Sequence, residues 1–239
     1  MTRTGIIRLI SIISALFIVP LLYSHGSSGK NTSESSVKYQ LPEPSLEISS
    51  VLFEEAVYRR RSVRNFTEEP LTLKEAGQLL WAAGGATVDG VSGPTRSYAS
   101  AGGLYPVEIY LAAGNVSGVE PGIYRYNWKT HSIEGIIAGD KRKELSDASL
   151  RQRFIETAPA SIIFTAVPDR SSARYGTRGE VKYVPMDTGA SVQTAHLQAA
   201  ALGLGSVVIG AFQDSQVLQV LGVSSDEVPM AVLPVGKTR

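Results

Sequence analysis

Four arginines and one serine lie within six residues, Arg59 to Arg64, at the end of a predicted amphipathic helix. A guanidinium group binds phosphate through two parallel hydrogen bonds, and a serine hydroxyl adds a neutral donor. This stretch, called the arginine segment below, could therefore hold a phosphorylated cofactor. The alternative is a solvated basic helix end that favours the helix dipole and binds nothing. The segment alone does not separate these two interpretations.

A second stretch, RSYASAGGLYP at residues 96–106, is rich in small residues. Its two glycines let the backbone approach a flat ligand closely, and backbone amides together with Ser100 can hydrogen-bond the polar edge of such a ligand. A glycine-rich loop before a strand is common in proteins. The stretch on its own is therefore a weak indication of a binding site.

The composition excludes several kinds of site. The chain has no cysteine, so disulfides, thiolate metal ligands and cysteine nucleophiles are absent. The sequence contains no clustered metal-ligating set and no G-x-S-x-G nucleophile motif. Gly203 and Gly205 follow a predicted helix and precede a strand, the reverse of the order in a dinucleotide-binding motif. The net charge of +1 gives no general attraction to nucleic acid.

The N-terminal residues have the pattern of a secretory signal. Arg3 and Arg8 precede an apolar run that reaches Tyr23, and the run is short for a membrane span. We therefore expect residues 1–26 to be a signal peptide or an uncleaved anchor, with export to the periplasm or the cell exterior. Residues 27–47, rich in Ser, Gly, Asn and Pro, are predicted to be a flexible linker. Residues 48–239 are predicted to form one domain.

The elements that must position these residues indicate a single α+β domain. Helices are predicted after Ser49 or Ser50, after the capping-box pattern that begins at Thr72, and over residues 141–154, 187–202 and 214–221. Strands are predicted over residues 107–111, 160–167, 206–210 and 229–235, and a hairpin over 122–126 and 132–137. The stretch between the second helix and Ser97 is predicted to be a polar loop.

Taken together, these pieces resemble the FMN-dependent nitroreductase superfamily, and within it the SagB-type branch of azoline dehydrogenases, which oxidise heterocyclised peptides. The resemblance covers about Val51 to Arg239, and the ordered series is more specific than any one motif. The matching stretches are RRSVRNF at 60–66 with Pro70, SAGGLYP at 100–106, GIYRY at 122–126, Tyr175-Gly176-x-Arg178-Gly179, Asp187-x-Gly189, Gly203-Leu204-Gly205, IGAF at 209–212 and PVGK at 234–237.

The resemblance implies a mixed sheet flanked by helices, in a homodimer with FMN at the subunit interface. The residues that it implies for the FMN phosphate are Arg60, Ser62 and Arg64, with Arg61 as a neighbour and with Lys237 and Arg239 from the chain end. The residues that it implies around the flavin ring are Val208, Ile209, Gly210 and Ala211, together with Ser100, Ala101 and Gly102 contributed by the partner subunit. No metal ion is implied.

The resemblance also implies a catalytic pair, Lys182 and Tyr183, which matches a Lys-Tyr pair proposed for proton transfer in azoline oxidation. A positioned base is needed when a proton leaves as flavin takes hydride. The alternative is that Lys182 is merely exposed and Tyr183 packs in the core.

The expected function is that of an FMN-dependent oxidoreductase working by ping-pong hydride transfer on a small molecule or a modified peptide. Two alternatives stay open at this point. One is a non-catalytic binding protein that keeps the fold, and the other is an enzyme of non-redox flavin chemistry. An exported enzyme would not meet peptide precursors in the cytoplasm, which weighs against a literal azoline dehydrogenase.

Overall fold

The structure, a computed structural model, describes residues 37–90 and 93–238. A seven-stranded sheet in the order β1-β6-β5-β4-β7-β9-β8 forms its centre, and every neighbouring pair in it is antiparallel. A separate hairpin pairs β2 with β3. The strands are β1 Lys38–Gln40, β2 Ala86–Gly90, β3 Gly93–Arg96, β4 Val107–Ala113, β5 Gly122–Asn127, β6 Ser132–Ala138, β7 Ala160–Ala166, β8 Gly205–Ser206 and β9 Val228–Gly236.

Helices cover both faces of this sheet. The helices are α1 Phe53–Arg59, α2 Leu73–Gly84, α3 Arg142–Ala148, α4 Phe154–Thr157, α5 Asp169–Tyr175, α6 Val184–Ala201 and α7 Asp214–Leu221. On one face, apolar residues of α2 and α6 pack on the sheet. On the other face, Leu145 of α3, Ile155 of α4 and Val217 of α7 pack in a second core. The predicted α+β fold, with a sheet flanked by helices, is confirmed.

The middle of the sheet is apolar because its strands are covered on both sides. All seven residues of β7 are buried, and Ile163 pairs with Tyr110 of β4 and Val232 of β9. A nearly continuous apolar run is the pattern expected for such a strand. β7 was predicted over residues 160–167, and the structure confirms it.

Local signals in the sequence also predicted helix and turn positions correctly. Thr72 caps α2 with the reciprocal bonds of a capping box, since its Oγ1 accepts from the Glu75 amide at 3.1 Å. The Thr72 amide in turn donates to Glu75 Oε2 at 2.8 Å. The β5–β6 hairpin lies where the alternating pattern placed it. These features depend on neighbours in sequence, which makes them readable without the fold.

The predicted linker over residues 27–47 differs from the structure in its second half. Lys38–Gln40 adds an edge strand beside β6, and Leu41 is buried in the core. The Ser45 amide also donates to Gln78 Oε1 at 2.9 Å. The folded region therefore begins before Ile48. Three residues are enough to add an edge strand to a hairpin that is already present. The predicted signal or anchor, residues 1–26, lies outside the described residues.

Three further elements differ from expectation. The predicted polar loop before Ser97 contains the β2–β3 hairpin. The predicted strand over 206–210 is regular only at Gly205–Ser206, although Ile209 and Val232 still exchange backbone hydrogen bonds of 2.9 Å. The helix predicted over residues 141–154 is broken, since α3 ends at Ala148, α4 begins at Phe154, and Leu150 and Arg151 between them have positive φ values. The apolar face of α1, for which the sequence predicts no covering element, is exposed except for Ala56. In the part of the chain that the structure describes, no helix has both the length and the apolar character needed to cross a membrane.

His131 gives the fold a predicted sensitivity to acid. Its Nδ1 lies 2.8 Å from the Tyr126 hydroxyl and its Nε2 lies 2.9 Å from the Pro42 carbonyl, which fits a neutral ring with the proton on Nε2. Burial lowers the pKa of His131, against a smaller opposing effect of the Pro42 carbonyl. The unfolded chain therefore takes up this proton first as the pH falls, so stability is present above the ordinary histidine pKa of about 6.5 and lost below it.

We expect the free energy of unfolding of the native protein to fall as the pH drops from about 7.5 to about 5.5, on either side of that ordinary pKa. His131→Gln is expected to flatten this dependence, even though it lowers stability at neutral pH. Urea titrations at several pH values measure both slopes. Equal slopes for the two proteins would contradict a role for His131 in the acid response.

Candidate active site

The arginine segment is held against the end of the sheet. Ser62 forms a parallel bridge with Ser206 of β8, and the Val63 amide donates to the Ser206 carbonyl at 2.9 Å. Just beyond the segment, the Thr67 amide donates to the Lys237 carbonyl at 2.9 Å. The structure thus brings together the arginine segment and the residues that follow β9, which are more than 160 positions apart in the sequence.

Part of the arginine segment lines a cleft of about 320 Å³ between the ends of α1 and α6. Arg60 and Arg61 line it, together with His196. Ser62 and Arg64 are exposed and lie outside that cleft. Among the predicted phosphate ligands, Arg60 and Arg61 line this cleft, whereas Ser62, Arg64 and Lys237 do not.

The charge of this segment is largely uncompensated. Among the described residues, Arg60, Arg61 and Arg64 form no ion pair with a carboxylate. The Arg64 guanidinium stands 5.8 Å from the centre of the Phe154 ring. Lys237 makes a loose pair with Glu69, with Nζ and Oε2 3.5 Å apart, and Glu69 is largely exposed. The unpaired arginines and the loosely paired Lys237 thus lie on neighbouring backbone segments, while Arg239 lies outside the described residues.

Residues 208–211 give the site an open edge. Ile209 is buried and bonded to β9, whereas Val208, Gly210 and Ala211 are exposed. A side chain built on Gly210 would meet nothing within 4 Å. An exposed backbone strip with little side-chain bulk can accept a flat group in close contact.

The glycine loop, Ser100–Leu104, is anchored by a carboxylate. Ser100 Oγ donates to Asp187 Oδ2 at 2.5 Å, and the Ala101 amide donates to Asp187 Oδ1 at 3.2 Å. Ser100 Oγ also accepts from the Tyr105 amide at 2.8 Å. The Ser100 hydroxyl proton, predicted to serve a ligand, is committed to Asp187 in the structure. The Ser100 hydroxyl therefore holds the glycine loop against α6.

Gly102 explains how this loop meets the next element. Its φ of 64° lies in the left-handed region, and a Cβ there would lie 2.5 Å from the Tyr175 hydroxyl. The edge of the Tyr175 ring meets Tyr183, with ring centres 5.0 Å apart and planes at 81°. The glycine loop and Tyr183 therefore belong to one cluster of contacts through Tyr175.

Lys182 and Tyr183 lie in a single π-helical turn, Gly179–Tyr183, that leads directly into α6. Lys182 is exposed, and the Tyr183 hydroxyl accepts from Arg178 Nε at 2.9 Å. That hydroxyl keeps its own proton to donate. Turns of this kind inside helices occur frequently at functional sites because they shift side chains out of the regular helical positions.

Sequence reasoning missed the role of Asp187, which was noted only as part of a motif. The cleft beside the arginine segment also contains His196 of α6. Both are buried on α6, and burial, with a smaller contribution from the charge of Arg60, lowers the pKa of His196. The signal that could have found Asp187 is its shared helical face with Ser191, four residues later, which faces the core. Within the described residues no group of three metal-ligating side chains is present.

A family model described as the nitroreductase family matches residues 57–237. The chain belongs to the nitroreductase family. MJ1384 of Methanocaldococcus jannaschii, a protein named as a nitroreductase, is 38% identical over 202 residues, which is 84% of this chain and 97% of that protein. Because this identity extends over nearly the whole of MJ1384, the two proteins are similar in sequence as well as in fold.

Solved structures agree with this assignment. A crystal structure named as a nitroreductase from Ralstonia eutropha has a TM-score of 0.73 and 29% identity, with 87% of this chain and 91% of that chain covered. A chain of the Escherichia coli microcin synthetase complex McbBCD has a TM-score of 0.64 and 21% identity, with 94% and 85% covered. The second likeness is one of fold. The resemblance to the nitroreductase superfamily is confirmed, and with it an oxidoreductase.

Proposed function

We propose that this protein is an FMN-dependent oxidoreductase that works by ping-pong hydride transfer on a small molecule or a modified peptide. One observation carries the proposal. The arginine segment pairs with Ser206, and its continuation at Thr67 bonds to the Lys237 carbonyl, so the backbone segments that carry these cations lie side by side. A phosphate dianion is bound best by several charged donors from different segments.

The residues present fit FMN at three places. Arg60, Ser62, Arg64 and Lys237 would hold the phosphate, and Arg61 adds positive charge beside them. The open strip over 208–211 would lie along the ring, where backbone amides can affect its electronics. When bound, FMN supplies the chemistry of accepting and returning a hydride. The glycine loop, held by Asp187, would border the ring with Ala101 and Gly102.

A homodimer is part of the proposal. The face of α1 carries Leu52, Phe53, Val57 and Tyr58, and the last of these is 91% exposed. A contiguous apolar face on a short helix is costly in water and is commonly covered by a partner. We infer that a second copy of the chain covers it, and that the two subunits share the FMN site.

The SagB-type branch and export belong to this proposal as well. The McbBCD structure contains a bound pro-peptide, which agrees with a modified peptide as one substrate class for this chain. The charged and apolar N-terminal pattern supports export by a signal peptide, or retention at a membrane by an uncleaved anchor. For an exported protein we favour a small conjugated acceptor over a cytoplasmic peptide precursor.

A non-catalytic flavin-binding protein is the second candidate. Its support is the Ser100 hydroxyl, which is committed to Asp187 at 2.5 Å rather than available to a ligand. The test is to purify the full chain and measure bound flavin by absorbance. Reduction of bound FMN followed by reoxidation with a quinone supports the enzyme, and stable FMN without turnover supports the binder. A colourless protein that cannot be loaded with FMN contradicts both.

Lys182→Ala tests the proposed proton-transfer pair. We expect a fall in turnover of about a hundredfold on a substrate that must lose a proton, the usual size of a general-base effect. FMN affinity should not change, because Lys182 is not among the proposed phosphate ligands. Stopped-flow measurement of flavin reduction checks this expectation. Lys129→Ala, which removes another lysine, is the matched control, and full activity of Lys182→Ala would remove the pair from the mechanism.

A further inference from the structure

Positive side chains recur every four residues next to the glycine loop, at Arg170, Arg174, Arg178 and Lys182. Arg170 is compensated, since it pairs with Glu108 and its Nη1 donates to the Tyr105 carbonyl at 3.1 Å. Among the described residues, Arg174 and Arg178 form no ion pair. Their charge is therefore available to a bound molecule.

Two of these guanidinium groups are held in place by aromatic rings. Arg174 stands 5.3 Å from the centre of the Tyr175 ring, and Arg178 stands 5.6 Å from the centre of the Tyr183 ring. The two rings contact each other edge to face. Only Nε of Arg178 is used in a hydrogen bond, to Tyr183, so its terminal N–H groups have no acceptor among the described residues. A planar donor fixed in this way loses little conformational entropy when it binds an anion.

The nearby carboxylates do not neutralise this cluster. Glu108 is shared by Arg125 and Arg170, and Asp187 is occupied by the glycine loop. Glu180 lies on the same π-helical turn but is exposed and forms no ion pair with either arginine. Arg174 also lies next to the glycine loop, since a Cβ built on Gly102 would lie 3.1 Å from Arg174 Nη1.

We propose that Arg174 and Arg178 select an anionic, conjugated substrate, whose carboxylate or sulfonate they bind while its ring lies against Tyr175 and Tyr183. This inference rests on the proposed function, because it places the substrate beside the glycine loop and the Lys182–Tyr183 pair. The two arginines can bind an anionic group and the two tyrosines can contact a ring, so the cluster suits a molecule that has both. A neutral quinone would use the rings alone.

The test is a binding titration of the full chain with two probes, anthraquinone sulfonate and its neutral hydroxymethyl analogue. Native protein should bind the sulfonate more tightly. Arg174→Gln and Arg178→Gln should each weaken sulfonate binding about threefold, and the double variant about tenfold, as expected for exposed charge pairs. Affinity for the neutral analogue should not change. Raising the ionic strength to about 0.5 M should remove most of the preference.

Lys74→Gln is the matched control, since Lys74 is exposed on α2 and forms no ion pair among the described residues. Equal affinity for both probes, or equal losses for both in the arginine variants, would overturn the inference. The titration is run on FMN-loaded and on flavin-free protein. Failure to load FMN contradicts the proposed function alone. The flavin-free protein then still tests the inference: a preference for the sulfonate supports it, and equal affinity for both probes contradicts it.

Discussion

Replacing Arg64 by alanine is expected to weaken FMN binding about a hundredfold. In the described chain, the Arg64 guanidinium lies over Phe154 and pairs with no carboxylate. The substitution therefore leaves no buried carboxylate without its partner. Loss of two hydrogen bonds to a charged phosphate costs roughly 3 kcal/mol, which is about two powers of ten in affinity. Flavin fluorescence quenching during titration measures the dissociation constant directly.

Arg59→Ala is the matched control for this experiment. Arg59 lies in the same segment but pairs with Glu55 one helical turn earlier, and it is not a proposed ligand. Its replacement should leave FMN affinity nearly unchanged. If both variants weaken binding equally, the segment acts through general charge, and Arg64 has no specific contact. If neither does, the phosphate lies elsewhere.

Replacing Asp187 by alanine is expected to lower the free energy of unfolding by about 3 kcal/mol. The buried carboxylate accepts hydrogen bonds from the Ser100 hydroxyl and the Ala101 amide, and bonds to a charged acceptor contribute about 1.5–3 kcal/mol each. The loop would also lose its attachment to α6. We therefore expect faster amide hydrogen exchange at residues 100–104, measured by mass spectrometry alongside urea unfolding.

Asp147→Ala serves as the control for this second experiment. Asp147 is an exposed carboxylate paired with Lys143 on the surface of α3, where an ion pair contributes little. Its loss should change stability by less than about 1 kcal/mol. A similar small change for Asp187→Ala would show that the glycine loop is held by its own backbone rather than by the carboxylate.

Much of the fold could be predicted because its signals are local. The capping box at Thr72 and the apolar run of β7 each depend on residues near in sequence, and both were located correctly. The edge strand Lys38–Gln40 could not be found in this way, because a three-residue strand forms only where an existing hairpin offers free backbone groups. The sequence could not show that the apolar face of α1 is exposed, since periodicity indicates which residues share a face but not what covers it.

The candidate site was predicted as a set of residues rather than as a set of contacts, and the cofactor-binding role of those residues stays a prediction. Resemblance to the family named the arginine segment and Lys237, and the structure joins them through Ser206 and Thr67. Sequence reasoning assigned the Ser100 hydroxyl to a ligand, whereas it bonds to Asp187, 87 residues away. Such a pairing depends on how the loop docks on α6, and no local pattern encodes it.

The position of β9 in the sheet determines when the sheet can be completed during synthesis. β9 follows every other strand in the sequence, yet it lies inside the sheet between β7 and β8 and leads to Lys237. During synthesis the ribosome releases all eight earlier strands before this one, so the sheet is incomplete until β9 emerges. A nascent chain would therefore expose β7 to water at one edge and would lack Lys237, one of the four proposed phosphate ligands. The proposed FMN phosphate site is therefore complete only after β9 leaves the ribosome.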